Sequence, residues 1–266
     1  MSPDESIVTI ASVVIGPLLW AVWLFRLARV QTMRRRPAGV NAIGVTLVAC
    51  AGLLFAVLKT SASFDVVDAP VYLFMYVVVG LAWLRVVALI FSFLGLSIRD
   101  DVVERSNRAA VPAVVGGMIA VTLCYAGGNI GDGPGWWVVL FSAALATAGL
   151  IVAWLALAHL TNVIDAVTID RDPAAGLRLG AFLAACGIVL GRGVAGDWIS
   201  AAATLSDFVV FLPAVAVIVA IAALIESRSR LTAQRPRAPL LESGVLPAAV
   251  YLLVAIAAVA ALGRPV

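Results

Sequence analysis

The sequence predicts an all-α polytopic membrane bundle of about eight transmembrane helices built from repeated two-helix hairpins, and three observations carry that prediction. Its composition, 63% hydrophobic and only 12% charged, lies far from the roughly 45–50% apolar and 25% charged usage of soluble domains. The apolar residues fall into runs, each long enough to cross a hydrocarbon core of about 30 Å as a helix of about 20 residues. The arginines gather in every second loop between those runs. Membrane β-strands would instead alternate apolar and polar residues over segments of about ten.

The runs cover roughly residues 7–25, 40–58, 70–95, 109–127, 136–159, 174–194, 200–225 and 244–263. The first follows Met-Ser-Pro-Asp-Glu-Ser, acidic where a secretory signal is basic, so the first helix is expected to stay in the mature chain. The loop after it carries Arg26, Arg29, Arg34, Arg35 and Arg36; the next loop on that side carries Arg99, Arg105 and Arg108. Arg171 and Arg178 follow, then Arg228, Arg230, Arg235 and Arg237, making fourteen of the 18 basic residues. Lys59, Arg192 and Arg264 fall on the opposite side, and Arg85 falls inside a run. Basic segments stay cytoplasmic, so the hairpin loops are expected inside and both termini outside a bacterial plasma membrane. The net charge of +3 follows from this bias and calls for no nucleic-acid partner. The partners expected are the bilayer itself, anionic lipids at the basic loops, a small ion or solute, and in an oligomer further copies of the chain.

Against itself the chain matches at an offset of 65 residues. RDDVVERSNRAAVPAVVGG falls on IDAVTIDRDPAAGLRLGAF, so that Asp100 meets Asp165 and Asn107 meets Asp172, and further on Gly131-Asp132 meets Gly196-Asp197. At an offset of 136, Gly44 and Cys50 meet Gly180 and Cys186, and Pro37 meets Pro173. Each unit is then a hairpin with a polar turn, in which Asn107 or Asp172 caps the returning helix and Pro173 supplies a first-turn residue with no N–H to satisfy. On this reading the chain divides into an N-terminal hairpin over 1–69, a four-helix core over 70–200 and a C-terminal hairpin over 201–266, the last without a clear sequence match. Gly176, Gly180, Ala184, Gly187 and Gly191 recur at spacings of three or four, the pattern of close helix packing in lipid, with a narrow pore lining as the alternative.

The turn motifs SNRAAVPAVVGG from Ser106 and DRDPAAGLRLGAF from Asp170 resemble the bacterial inner-membrane family called domain of unknown function 350, over about residues 70–200. The resemblance implies four-span units occurring in tandem and transfers no catalytic residue. The chain departs from that pattern at Asp172-Pro173, where an Asn-rich turn is frequent.

Ionisable residues within or beside the runs are the candidates for transport or gating: Arg85, Asp207, Arg192 and His159. Arg85 reads as a snorkelling or paired arginine, or as part of an ion path. Asp207, roughly 10 Å below the outer surface at 1.5 Å per residue, reads as an ion-pair partner of Arg192 or as a cation-binding carboxylate. His159 stands alone as the single histidine, which excludes bis-histidine haem and leaves a structural or pH-sensing role. Asp132 and Asp197 occupy matching outer turns beside Trp136, Trp137 and Trp198, read as turn formers or as a cation-attracting mouth. Cys50, Cys124 and Cys186 read as buried small hydrophobes. No HExxH, Walker loop or nucleophile elbow occurs, so no catalytic residue, metal or cofactor is expected. The function expected is a non-enzymatic conduit or carrier for a small ion or solute; the alternative is a structural or regulatory membrane subunit that recruits partners through its basic loops, as in envelope-stress handling.

Overall fold

Eight helices long and apolar enough to cross a membrane occur in the computed structural model, which describes residues 1–30, 38–229 and 239–263. They are α1 (Pro3–Arg29), α2 (Gly39–Ser61), α3 (Pro70–Ile90), α4 (Ala110–Gly127), α5 (Trp136–Leu160), α6 (Pro173–Gly193), α7 (Ala201–Arg228) and α8 (Leu241–Leu262). Arg34, Arg35, Arg36, Pro37, Arg230, Arg235, Arg237 and Arg264 lie outside the described residues.

Local chemistry sets the helix ends. α1 opens on a capping box, in which the Glu5 N–H donates to Ser2 Oγ and the Ser2 N–H returns to Glu5 Oε2 at 2.6 Å, with Pro3 next in line. Pro17, which has no N–H to give the ladder, sits in a π-helical turn over Val14–Leu18 that absorbs the missing bond. α6 opens on Asp172, whose carboxylate accepts from the Ala174 and Ala175 N–H groups at 3.1 and 3.2 Å, followed by Pro173 as expected. α7 opens on Ser200, which accepts from Ala203 N–H. The third helix departs from the expected run of 70–95. It stops at Ile90 because the chain turns through Phe91–Gly95, with Gly95 at φ +86°, and the turn hides in the sequence because its residues are nearly all apolar.

Two rows of helices make the bundle. The even-numbered helices stand side by side in the order α2, α4, α6, α8; α3 packs on α2 and α4, α5 on α4 and α6, α7 on α6 and α8, and α1 lies outermost against α3. α4 and α6 form the central seam. Gly176 faces Ala109, Gly180 faces Pro112, Gly187 faces Ala120 and Gly191 faces Leu123, and from the other side Gly116 faces Gly180 and Gly127 faces Gly191. The contacting residue numbers climb together, so the two helices run parallel. A Cβ on Gly187 would stand 2.6 Å from the Ala120 Cα, closer than any side chain tolerates, so the backbones touch only because these positions are bare. Lipid gives little apolar drive for helix association, and packing of this kind replaces it. The glycine stripe therefore closes a seam and leaves no lumen between the two helices.

The turns that lead into α4 and α6 follow the same path. Asn107 N–H donates to Asp101 O and Asp172 N–H to Ala166 O, both at 2.9 Å, and Arg105 N–H to Asp100 O is matched by Asp170 N–H to Asp165 O. Ser106 at φ 49° and Arg171 at φ 52° are the non-glycine residues with positive φ among those described, and they too stand 65 positions apart. Asn107 is buried, accepts from the Ala109 N–H, and reaches across to donate to Val167 O at 2.7 Å, so one turn is tied to the other. The larger of two apolar cores, reaching from Trp20 to Ala255, runs through all eight helices. The three cysteines are buried within it as expected.

Candidate functional site

Near the basic end of the bundle, a buried ion pair joins α6 to α7. Arg178 stands five residues inside α6, 2% exposed, although its place among the basic residues suggested a loop. Its Nε and Nη2 donate to Glu226 Oε1 and Oε2 at 2.5 and 2.8 Å, a bidentate fork, and Nη1 donates to the Ser243 carbonyl at the start of α8. Three helices are thus held by one guanidinium. Isolated, either charge would be expensive at this depth; paired with this geometry, each satisfies the other.

The pair floors a pocket of about 130 Å³ walled by Asn162, Asp170, Asp172, Glu226 and Ser229. Three acidic residues and one arginine line it, so the lining is acidic in balance. Asp172 spends its oxygens on the α6 N-terminus, where the helix dipole also favours negative charge. Close by, Tyr251 of α8 packs edge-on to Phe182 with its hydroxyl buried and without a hydrogen-bond partner.

The residues singled out in the sequence are scattered. Asp100 and Asp165 are exposed and serve the two turns through their backbone carbonyls. Asp132 and Asp197 do meet: the Asp132 N–H donates to Asp197 Oδ1 at 2.8 Å and the Trp198 N–H donates to Asp132 O at 2.7 Å, with both side chains exposed at the far end of the bundle. His159 is exposed at the end of α5. The expected Arg192–Asp207 ion pair does not form. Asp207 lies on an exposed face of α7, while Arg192 turns back to donate to Ala195 O at 3.2 Å. Arg85 is half-buried, with its guanidinium carbon 5.1 Å from the Trp20 ring centroid and 5.8 Å from that of Trp23.

Glu226 was missed in the sequence, and Arg178 was counted as a loop charge. A signal existed. Arg178 lies well inside an apolar helix between Ala174 and Phe182, and Glu226 and Asp207 are the two acids of α7, so the same reasoning that selected Arg85 would have selected the pair.

The eight helices are those of a multi-pass membrane protein. Neither a family model, nor a curated protein, nor a solved structure matches the chain.

Proposed function

We propose that the chain is a non-enzymatic carrier of a small cation or protonated solute in a bacterial plasma membrane, built from parallel hairpins with basic turns in the cytoplasm and both termini outside. The observation that supports it is the acidic pocket whose floor is the Arg178–Glu226 pair. A cation entering there competes with Arg178 for Glu226. As the fork opens, α6 loosens its hold on α7 and on Ser243 of α8, so occupancy and helix position are linked through one contact. An open conduit between α4 and α6 is disfavoured by their glycine seam. The equal paths of the turns around Ser106 and Arg171 support duplication of a hairpin, as does the match of Asp132 to Asp197.

Flux in liposomes reconstituted with the purified chain tests the reading. Wild-type protein is expected to move protons, Na⁺ or K⁺, read by an internal pH- or cation-sensitive dye, and Glu226→Gln to stop that movement while the protein remains folded. Wild-type liposomes no leakier than protein-free ones would overturn it. The rigid central seam favours the second reading, a structural subunit working through its basic loops; replacement of Arg34, Arg35 and Arg36 would then abolish function while Glu226→Gln spared it.

A further inference from the structure

Arg85 and Arg178 present the same problem, an arginine within an apolar helix, and only one of them finds an anion inside the protein. Arg178 has Glu226. Arg85 meets no carboxylate among the described residues: its neighbours are the faces of Trp20 and Trp23, and its Nε is buried with no acceptor. Trp20, 3% exposed, buries its indole N–H beside it, also with no acceptor. Two buried donors and one full charge, on side chains whose guanidinium carbon and ring centroid are 5.1 Å apart, are therefore without an acceptor or anion among the described residues. Nor can a small movement supply the missing group, because neither α3 nor the Leu19–Val30 stretch of α1 contains an Asp or Glu.

Position decides what supplies it. Arg85 stands five residues from Ile90, the end of α3 nearest the basic turns, about 8 Å along the axis at 1.5 Å per residue. A guanidinium at that depth extends to the headgroup layer, where the abundant oxygen acceptors are phosphodiesters. The planar guanidinium fork matches phosphate oxygens, and the indole N–H adds a third donor. With no carboxylate nearby to receive a headgroup ammonium, a lipid of net negative charge is favoured over a zwitterionic one.

We propose that Arg85, Trp20 and Trp23 form a binding site for the phosphate of an anionic phospholipid at the contact of α1 with α3. The site is separate from the Arg178 pocket and stands whether or not the protein carries a cation.

Thermal unfolding of the full chain in detergent, with added phosphatidylglycerol, phosphatidylcholine or inorganic phosphate, tests it, together with lipid retention by native mass spectrometry. Phosphatidylglycerol is expected to raise the melting temperature and remain bound, with phosphatidylcholine and inorganic phosphate weaker. Arg85→Gln is expected to weaken phosphatidylglycerol binding by about tenfold or more, the worth of a charged hydrogen bond, and Trp20→Phe, which keeps a ring and removes the N–H, by about threefold. Should Arg85→Gln fail to fold, Trp20→Phe and the comparison of lipids on the wild type decide the matter. Equal stabilisation by the two lipids, protection by inorganic phosphate as strong as that by phosphatidylglycerol, or unchanged lipid retention in Trp20→Phe would overturn the proposal.

Discussion

Residues 97–107 and 162–172 make matching backbone hydrogen bonds ahead of the two central helices and carry different side chains along them. Asn107 does not cap α4 as expected, since the N-cap position falls on Ala109 with no side-chain bond; it can donate as well as accept, and it uses both abilities, bonding the Ala109 N–H of its own turn and the carbonyl of Val167 in the other. Asp172 can only accept, so it caps its own helix and leaves its charge on the pocket wall. Further in, Ala113 occupies the place that Arg178 holds 65 residues later. A shared backbone thus supports two different arrangements: in one turn the buried Asp101 pairs with Arg105 of the same turn and Asn107 stitches across, while the other leads into the helix whose Arg178 pairs with Glu226 of α7.

The largest effect that tests this comparison falls on the ion pair. Glu226→Ala strands the Arg178 guanidinium in the apolar interior and is expected to cost about 3–5 kcal/mol in unfolding free energy, whereas Arg178→Met together with Glu226→Leu recovers most of that loss, because neither partner is left buried alone. Urea or thermal unfolding in detergent reads both, and a double substitution as damaging as the single one would deny the pair its role. Next comes the seam. Gly180→Leu drives a side chain into Pro112 and Ala113 and is expected to cost about 1–3 kcal/mol or more, while Gly44→Leu, at the sequence-matched position of α2 with nothing within 4 Å, leaves the melting temperature nearly unchanged. Exchanging the two matched turn residues gives the smallest effect. Asp172→Asn keeps an equivalent cap and shifts stability by a few tenths of a kcal/mol, but Asn107→Asp forfeits the donor to Val167 and costs about 1–2 kcal/mol. Equal losses from the two exchanges would show the turns to be interchangeable.

Helix number, helix placement and the glycine contacts were legible because each is written in contiguous sequence: runs of apolar residues, a Ser or Asp ahead of a Pro, a small residue at every third or fourth place. The end of α3 was not, since Phe91–Leu96 turns back while staying almost wholly apolar. Nor was the site. Arg178 and Glu226 are 48 residues apart and meet only after α6 and α7 pack, and the face on which a charge emerges depends on that packing. For the same reason Asp207, which sequence position set near Arg192, lies exposed on α7 without an ion pair to it. Arg85 was recognised as costly from its place in the run, but its tryptophan neighbours come from α1, some 60 residues upstream.

The parallel course of α4 and α6 has a consequence for biogenesis. Neighbouring helices in a hairpin can zip together as they leave the translocon, but two that point the same way must wait for the helix between them. Gly116 and Gly127 therefore have no mate until α5 has been inserted and α6 has followed it. The tightest contact in the molecule is among the later ones to be made during synthesis, and a chain halted after α5 would expose its barest helix surface to the quality-control proteases of the membrane.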